Sequence, residues 1–274
     1  MLTVWPASAV VDPGAADDEH PAASGGVITA ERSGRVLIIS LRREHKRNAI
    51  DRTMADGLDR ALNTLEDDPE IWAGVLTGTP TVFCAGSDLK ADGDYVTARG
   101  GEYGIIRRAR KKPLVAAVEG VALGGGMEIA LACDMVVAAR NAQFGLPEVS
   151  RGVLPTCGAL FRALHALPPN IARQLVLTGE PIDASDAHAA GFVNVVCEPG
   201  DATAEALCLA KRICENAPLS VQACLAALHH LGAGDEDEGW RVTEEARATI
   251  EGSADQQEGI AAFFEKRRPR WLGR

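Results

Sequence analysis

The stretch from Lys112 to Glu128, KPLVAAVEGVALGGGME, constrains this chain more than any other. Leu114 to Val118 is a short unbroken apolar run, the pattern of a buried strand. Gly124, Gly125 and Gly126 follow, and Glu128 to Ala132 then reads as helix, with a carboxylate in its first turn. Strand, bare backbone and helix start together can aim unpaired N–H groups at an anionic oxygen. Glycine there lets a ligand come close to the chain. A second turn upstream repeats the theme: apolar Ala73 to Thr77 leads into Val82 to Leu89, which contains Gly86. One N–H from each turn on a single oxygen makes an oxyanion hole. Taken singly, a glycine run is more often a tight turn or a close-packing site. The pair favours chemistry, because Glu128 stands behind one turn and Glu148 lies twenty positions further on.

Six segments in order then carry a resemblance: Phe83 to Leu89, Leu123 to Glu128, Cys133-Asp134, Phe144 to Glu148, Leu177 to Gly179 and Glu258 to Arg267. With them the chain resembles the crotonase (enoyl-CoA hydratase/isomerase) superfamily over nearly everything after residue 26. The resemblance implies an α/β fold, a ββα spiral core over residues 27–199, with a C-terminal helical trimerisation region over 200–274. It implies an acyl-CoA thioester as substrate and a homotrimer or dimer of trimers as the assembly. Coenzyme A would enter as part of the substrate, with no further cofactor and no metal. Glu128 and Glu148 match the two catalytic glutamates of the hydratases, and the N–H groups of Ser87 and Gly125 match the oxyanion hole. Arg47, Ala85, Asp88, Leu89, Lys90, Gly124, Phe263 and Lys266 match substrate- or CoA-binding positions, the last two across a subunit boundary.

The implied reaction is reversible addition of water to a 2-enoyl-CoA. Charge builds on the thioester oxygen as an enolate forms, and two carboxylates at C2 and C3 handle the protons. Double-bond isomerisation is an alternative on the same scaffold. The segments Ser87 to Lys90, Phe144 to Glu148 and Leu167 to Asn170 are also similar to carnitinyl-CoA dehydratases, which would place a quaternary ammonium on the acyl group. Cys157-Gly158 stands where the family often has two glycines, a departure that narrows the room beside the acyl chain. Two rival classes remain: a silent acyl-CoA binder, which the paired glutamates argue against, and a thioesterase with Ser87 as nucleophile. No histidine has a matching role for the latter; His45, His165 and His188 are scattered.

A net charge of −10 disfavours nucleic acid and anionic membrane as partners, and any CoA site then needs local basic groups. Arg42 to Arg47 supplies such a patch, read either as a solvated loop or as a cradle for phosphates. The cluster Arg107 to Lys112 reads as a solvated helix face, and Lys90 to Lys112 as a mobile flap or helix near the acyl pocket. Asp235 to Glu238 reads as a solvated acidic turn. Asp88 reads most simply as the cap of a following helix. Cys84, Cys133 and Cys197 read as small core residues. Seven cysteines without a zinc pattern, and no signal peptide, point to a reducing cytoplasm. Residues 1–26 read as a disordered tail.

Overall fold

The computed structural model describes residues 26–91, 95–232 and 236–272. Residues 1–25 of the expected tail, and Asp235, lie outside the described residues. A hairpin comes first: β1 (Ile28–Ser33) and β2 (Val36–Leu41) pair antiparallel around Gly34. Asp51 caps α1 (Arg52–Asp67), its carboxylate accepting the Met54 N–H at 2.9 Å. The face carrying Met54, Leu58, Leu62 and Leu65 is buried, as the spacing predicts.

Next come β3 (Ala73–Thr77), β4 (Val82–Cys84), β5 (Leu114–Val118), β6 (Val121–Leu123), α2 (Gly125–Leu131), β7 (Met135–Ala139) and β8 (Gln143–Gly145). They are followed by α3 (Ala159–Ala166), α4 (Pro169–Thr178), β9 (Ile182–Asp183), α5 (Ala184–Ala189) and β10 (Val195–Cys197). One sheet has six strands in the order β1-β2-β3-β5-β7-β10, and a second has four in the order β4-β6-β8-β9. The pairs β3–β4, β5–β6 and β7–β8 each give one strand to each sheet, which is the repeating unit of a ββα spiral. Bare backbone makes two of these switches possible. A Cβ on Gly78 would sit 2.3 Å from the Val82 carbonyl oxygen, and one on Gly120 1.9 Å from that of Thr81. The strand β6 is an addition to the sequence reading: Leu114–Val118 does not run into the glycines, and the three residues before them form a separate strand of the smaller sheet.

Four helices close the chain: α6 (Ala202–Cys214), α7 (Pro218–Gly232), α8 (Glu236–Ile250) and α9 (Ala254–Phe264). Ala202, Ala206 and Ala210 lay α6 against Val36, Ala73, Val75, Val115 and Ala117 on one face of the six-stranded sheet. The alternate residues Leu76, Leu114, Ala116 and Val118 enter the main core with α1. Cover on both faces is why these strands read as unbroken apolar runs. The last helix turns back onto the segment Pro147–Arg151, a 3₁₀ turn. A Cβ on Gly259 would lie 2.2 Å from the Arg151 carbonyl oxygen, and one on Gly152 2.4 Å from that of Asp255.

Three expectations are corrected. Arg108, Arg110 and Lys112 are buried rather than solvated: Arg108 pairs with Asp59, Arg110 with Asp134, and the Lys112 ammonium donates to the Leu65 and Asp68 carbonyls at 2.7 and 2.6 Å. Residues 100–108 are no loose flap, since Tyr103, Gly104, Ile105, Ile106 and Arg108 are all buried. Glu236, Asp237 and Glu238 form the first turn of α8 rather than a free acidic turn, where their charge suits the helix N-terminus. Cys84 is fully buried and Cys133 and Cys197 are half-buried. Among the described residues no helix is long and apolar enough to cross a membrane.

Candidate active site

The two glycine-bearing turns meet. Gly86 has φ +94°, and a Cβ on it would lie 3.0 Å from the Gly125 nitrogen and 3.1 Å from the Leu123 carbonyl oxygen. A Cβ on Gly126 would lie 2.0 Å from the Cys84 carbonyl oxygen. Any side chain at either place would push the end of β4 away from the start of α2. Ser87 pairs with Ile50: the Ile50 N–H donates to the Gly86 carbonyl at 2.7 Å, and the Asp88 N–H to the Ile50 carbonyl at 2.8 Å. In such a parallel bridge the N–H of Ser87 itself points away from Ile50. Gly125 is the first residue of α2, where the N–H has no carbonyl partner within its own helix.

Two carboxyls close on this junction. Glu128, in the first turn of α2, is 2% exposed, and its Oε1 accepts the N–H groups of Cys157 and Ala159 at 2.7 and 3.1 Å. Burial pushes its pKa up to about 8, with the charge of Glu148 adding to the effect. Glu148 sits in the Pro147–Arg151 turn, with its Oε1 3.1 Å from where a Cβ on Gly124 would be. Its Oε2 is buried without a hydrogen-bond partner. Burial pushes its pKa up to about 7, and the nearby Arg151 guanidinium restrains the rise. Gly124, at φ +57°, thus gives both close access to Glu148 and the backbone turn into α2.

The remaining residues named from the sequence are spread around this centre. The Ala85 N–H donates to the Arg47 carbonyl at 3.1 Å, which ties the basic loop to the first turn. The Arg47 side chain is exposed, and its charge is felt by Arg151. Asp88 caps a turn through the Lys90 N–H at 3.1 Å, not a helix, and pairs with Arg43 at 2.8 Å. Burial opposes the charge of Asp88, but the bonds from Arg43 and Lys90 hold its pKa below the ordinary range. Leu89 and Lys90 are exposed. Phe263 and Lys266 are exposed too, and the Arg151 guanidinium lies 5.1 Å from the Phe263 ring of its own chain. Neither reaches the two carboxyls within the described contacts. No group of three His, Cys, Asp or Glu among the described residues is placed to hold a metal ion.

Three residues matter more than the sequence suggested. Asn48 is fully buried; its Oδ1 accepts the Arg43 N–H at 2.8 Å, and its Nδ2 donates to the Val82 and Phe83 carbonyls, each at 3.0 Å. It fastens the basic loop to β4. Asn48→Ala is expected to cost about 2 kcal/mol, since it removes a buried amide and strands its partners. Urea unfolding would measure this, and an unchanged midpoint would remove Asn48 as the fastener. Tyr103 and Cys157 are both 4% exposed. The Tyr103 hydroxyl lies 2.6 Å from the Ser87 hydroxyl, and the Cys157 thiol neighbours both Tyr103 and Glu128. The signal for Tyr103 was its flanking glycines, Gly100, Gly101 and Gly104.

A family model described as Enoyl-CoA hydratase/isomerase matches residues 31–274. A mevalonyl-coenzyme A hydratase sidH of Aspergillus fumigatus is 35% identical, covering 93% of this chain and 97% of its own length. The enoyl-CoA hydratase EchA19 of Mycobacterium tuberculosis is 36% identical, covering 92% of this chain and 98% of its own. A solved structure of a carnitinyl-CoA dehydratase from Mycobacterium avium 104 superposes with a TM-score of 0.86 at 44% identity, over 91% of this chain and all of that one. Two sheets wound as a spiral, C-terminal helices and matches along the whole described length agree: the chain belongs to the enoyl-CoA hydratase/isomerase family, has the crotonase fold, and is a hydro-lyase of that family.

Proposed function

We propose that the chain adds water reversibly to a 2-enoyl-CoA, using Glu128 and Glu148 for proton transfer and the N–H groups of Ser87 and Gly125 for the thioester oxygen. The observation that carries this reading is the buried pair of carboxyls beside the junction of the two turns, one of them with an unpartnered oxygen. Raised pKa values keep a proton within the pair near neutral pH. One carboxyl can then accept a proton from water at C3 while the other delivers one to C2. Glu148 Oε2 is free to accept that water as a hydrogen-bond donor. Negative charge moves to the thioester oxygen as the enolate forms, and each N–H directed at it contributes about 2.7–4 kcal/mol to the transition state.

Coenzyme A serves here as the handle of the substrate, and no separate cofactor enters the scheme. Its phosphates are assigned to Arg47 and Lys90, a reading supported by the exposure of both side chains on either side of the first turn. A homotrimer or dimer of trimers is the proposed assembly, supported by α7, which exposes Leu219, Leu228 and Leu231. A carnitinyl-CoA dehydratase reading draws on the 44% identity of the superposed structure.

Mixing the protein with crotonyl-CoA and following the conjugated thioester absorbance tests the proposal. Rapid loss, abolished in Glu148→Gln, is the expected result. No loss with crotonyl-CoA, but turnover of an acyl-CoA bearing a γ-trimethylammonium group, would replace the first reading with the second.

A further inference from the structure

We infer that Tyr103 and Cys157 form the end wall of the acyl pocket and restrict this enzyme to short acyl groups. The inference rests on the hydratase reading for its substrate and adds the length of chain that substrate can have.

The wall starts from an uncommon backbone. Tyr103 has φ +57° and ψ 6°, a left-handed conformation that an aromatic residue rarely adopts. Its neighbours hold it there. A Cβ on Gly100 would lie 1.9 Å from the Gly104 carbonyl oxygen, and one on Gly104 would lie 2.6 Å from the Ala55 carbonyl oxygen of α1. The segment is therefore seated on α1 through bare backbone, and the tyrosine ring is turned inward. A Cβ on Gly125 would meet the Tyr103 hydroxyl at 2.7 Å and its Cε2 at 2.8 Å. With the hydroxyl also 2.6 Å from the Ser87 hydroxyl, the ring spans both turns that face the thioester.

Cys157 closes the other side. Its N–H holds Glu128 at 2.7 Å, and its thiol points among Glu128, Tyr103 and the Thr156 hydroxyl, the last at 3.9 Å. The chain neighbours of this pair face different surroundings. Glu102 and Thr156, the residues just before the two wall residues, line a separate cavity of about 390 Å³ together with Arg107, Trp240, Glu244 and Arg247. That cavity presents charged groups. An acyl chain that grew past the wall would have to break the Tyr103–Ser87 hydrogen bond and then place methylenes among ion pairs. In an open apolar pocket each added methylene would instead improve binding about four-fold. Here lengthening brings no such gain and carries a steric penalty.

The test is kcat/KM for crotonyl-, 2-hexenoyl-, 2-octenoyl- and 2-decenoyl-CoA. In the wild type it is expected to fall by about ten-fold or more from crotonyl to octenoyl, the scale on which a pocket rejects a chain that is too large. Cys157→Gly and Tyr103→Ala remove the bulk of the wall and are expected to raise the octenoyl-to-crotonyl ratio by about ten-fold. Tyr103→Phe keeps the bulk, and is expected to keep the ratio within about three-fold of the wild type. Binding of the unreactive butyryl- and octanoyl-CoA reads the wall without chemistry. Equal use of octenoyl and crotonyl by the wild type would overturn the inference. So would an unmoved ratio in a Cys157→Gly protein that melts as the wild type does. If no enoyl-CoA is hydrated but octanoyl-CoA binds more weakly than butyryl-CoA, the hydratase reading fails and the wall stands.

Discussion

Glu128→Gln is expected to lower kcat on crotonyl-CoA by about 10²–10⁴-fold, the usual share of a general acid or base, while leaving KM little changed. The same substitution is expected to raise the melting temperature near neutral pH. The amide oxygen can still accept the N–H groups of Cys157 and Ala159, so the loop before α3 stays in place. What is lost is the ionisable proton. Glu128 has its pKa raised from 4.5 to about 8 by burial and by Glu148. For a carboxyl raised in this direction, folding favours the protonated form. The wild type is therefore penalised as pH rises above 4.5, by on the order of 3 kcal/mol at pH 7. Glutamine escapes that penalty. Thermal melts of both proteins across the pH range would show the gain of the variant growing above 4.5 and fading toward it. A kcat within about three-fold of the wild type would remove Glu128 from proton transfer. The wild-type rate should also follow a bell in pH, whose two limbs belong to the coupled pair of glutamates rather than to either one. Glu128→Gln should leave a single limb.

The second large effect lies away from the site. Asp134→Ala is expected to destabilise the fold by about 3–5 kcal/mol, because it strands the buried Arg110 guanidinium. Asp134 accepts from both Arg110 nitrogens, from the Leu114 N–H at 2.7 Å, and pairs with His229 Nε2 at 2.8 Å. One carboxylate thus joins the end of α2, the start of β5 and helix α7. Burial works against its charge, yet these partners hold its pKa at about 2. For a carboxyl lowered in this direction, the stabilisation is present above the ordinary 3.8 and is lost as pH falls through about 2. Urea unfolding should therefore show a wide gap between wild type and Asp134→Ala at neutral pH, narrowing below 3.8. Adding Arg110→Met to Asp134→Ala should recover part of the loss, since no charge is then left unpaired. A single variant within about 1 kcal/mol of the wild type would contradict this account.

Local patterns were legible in the chain where a short segment carries its own reason. Asp51 three positions before Met54 announces the start of α1, and Met54, Leu58, Leu62 and Leu65 announce its buried face. The glycines at 86 and 124–126 announced two turns that need bare backbone, and the structure brings those turns together with Glu128 and Glu148. The buried cations were not legible. Arg108, Arg110 and Lys112 look solvated because their partners, Asp59, Asp134 and the Leu65 carbonyl, are tens of residues away. Strand β6 was hidden because three residues between glycines are too few to show a period. Tyr103 was hidden because a left-handed backbone at a tyrosine runs against its local preference and is imposed by the packing of Gly104 on α1.

The contact between α9 and the Pro147–Arg151 turn bears on the order in which the protein becomes competent during synthesis. Glu128 is held by N–H groups about thirty residues downstream, so its setting is complete soon after α3 leaves the ribosome. Glu148 rides on a turn that is backed by Asp255 and Gly259, about a hundred residues later. In chain order, the contacts that hold Glu128 are therefore complete before those that back the Glu148 turn. A chain ending at β10 would carry both sheets and still lack the α9 contacts that back the Glu148 turn.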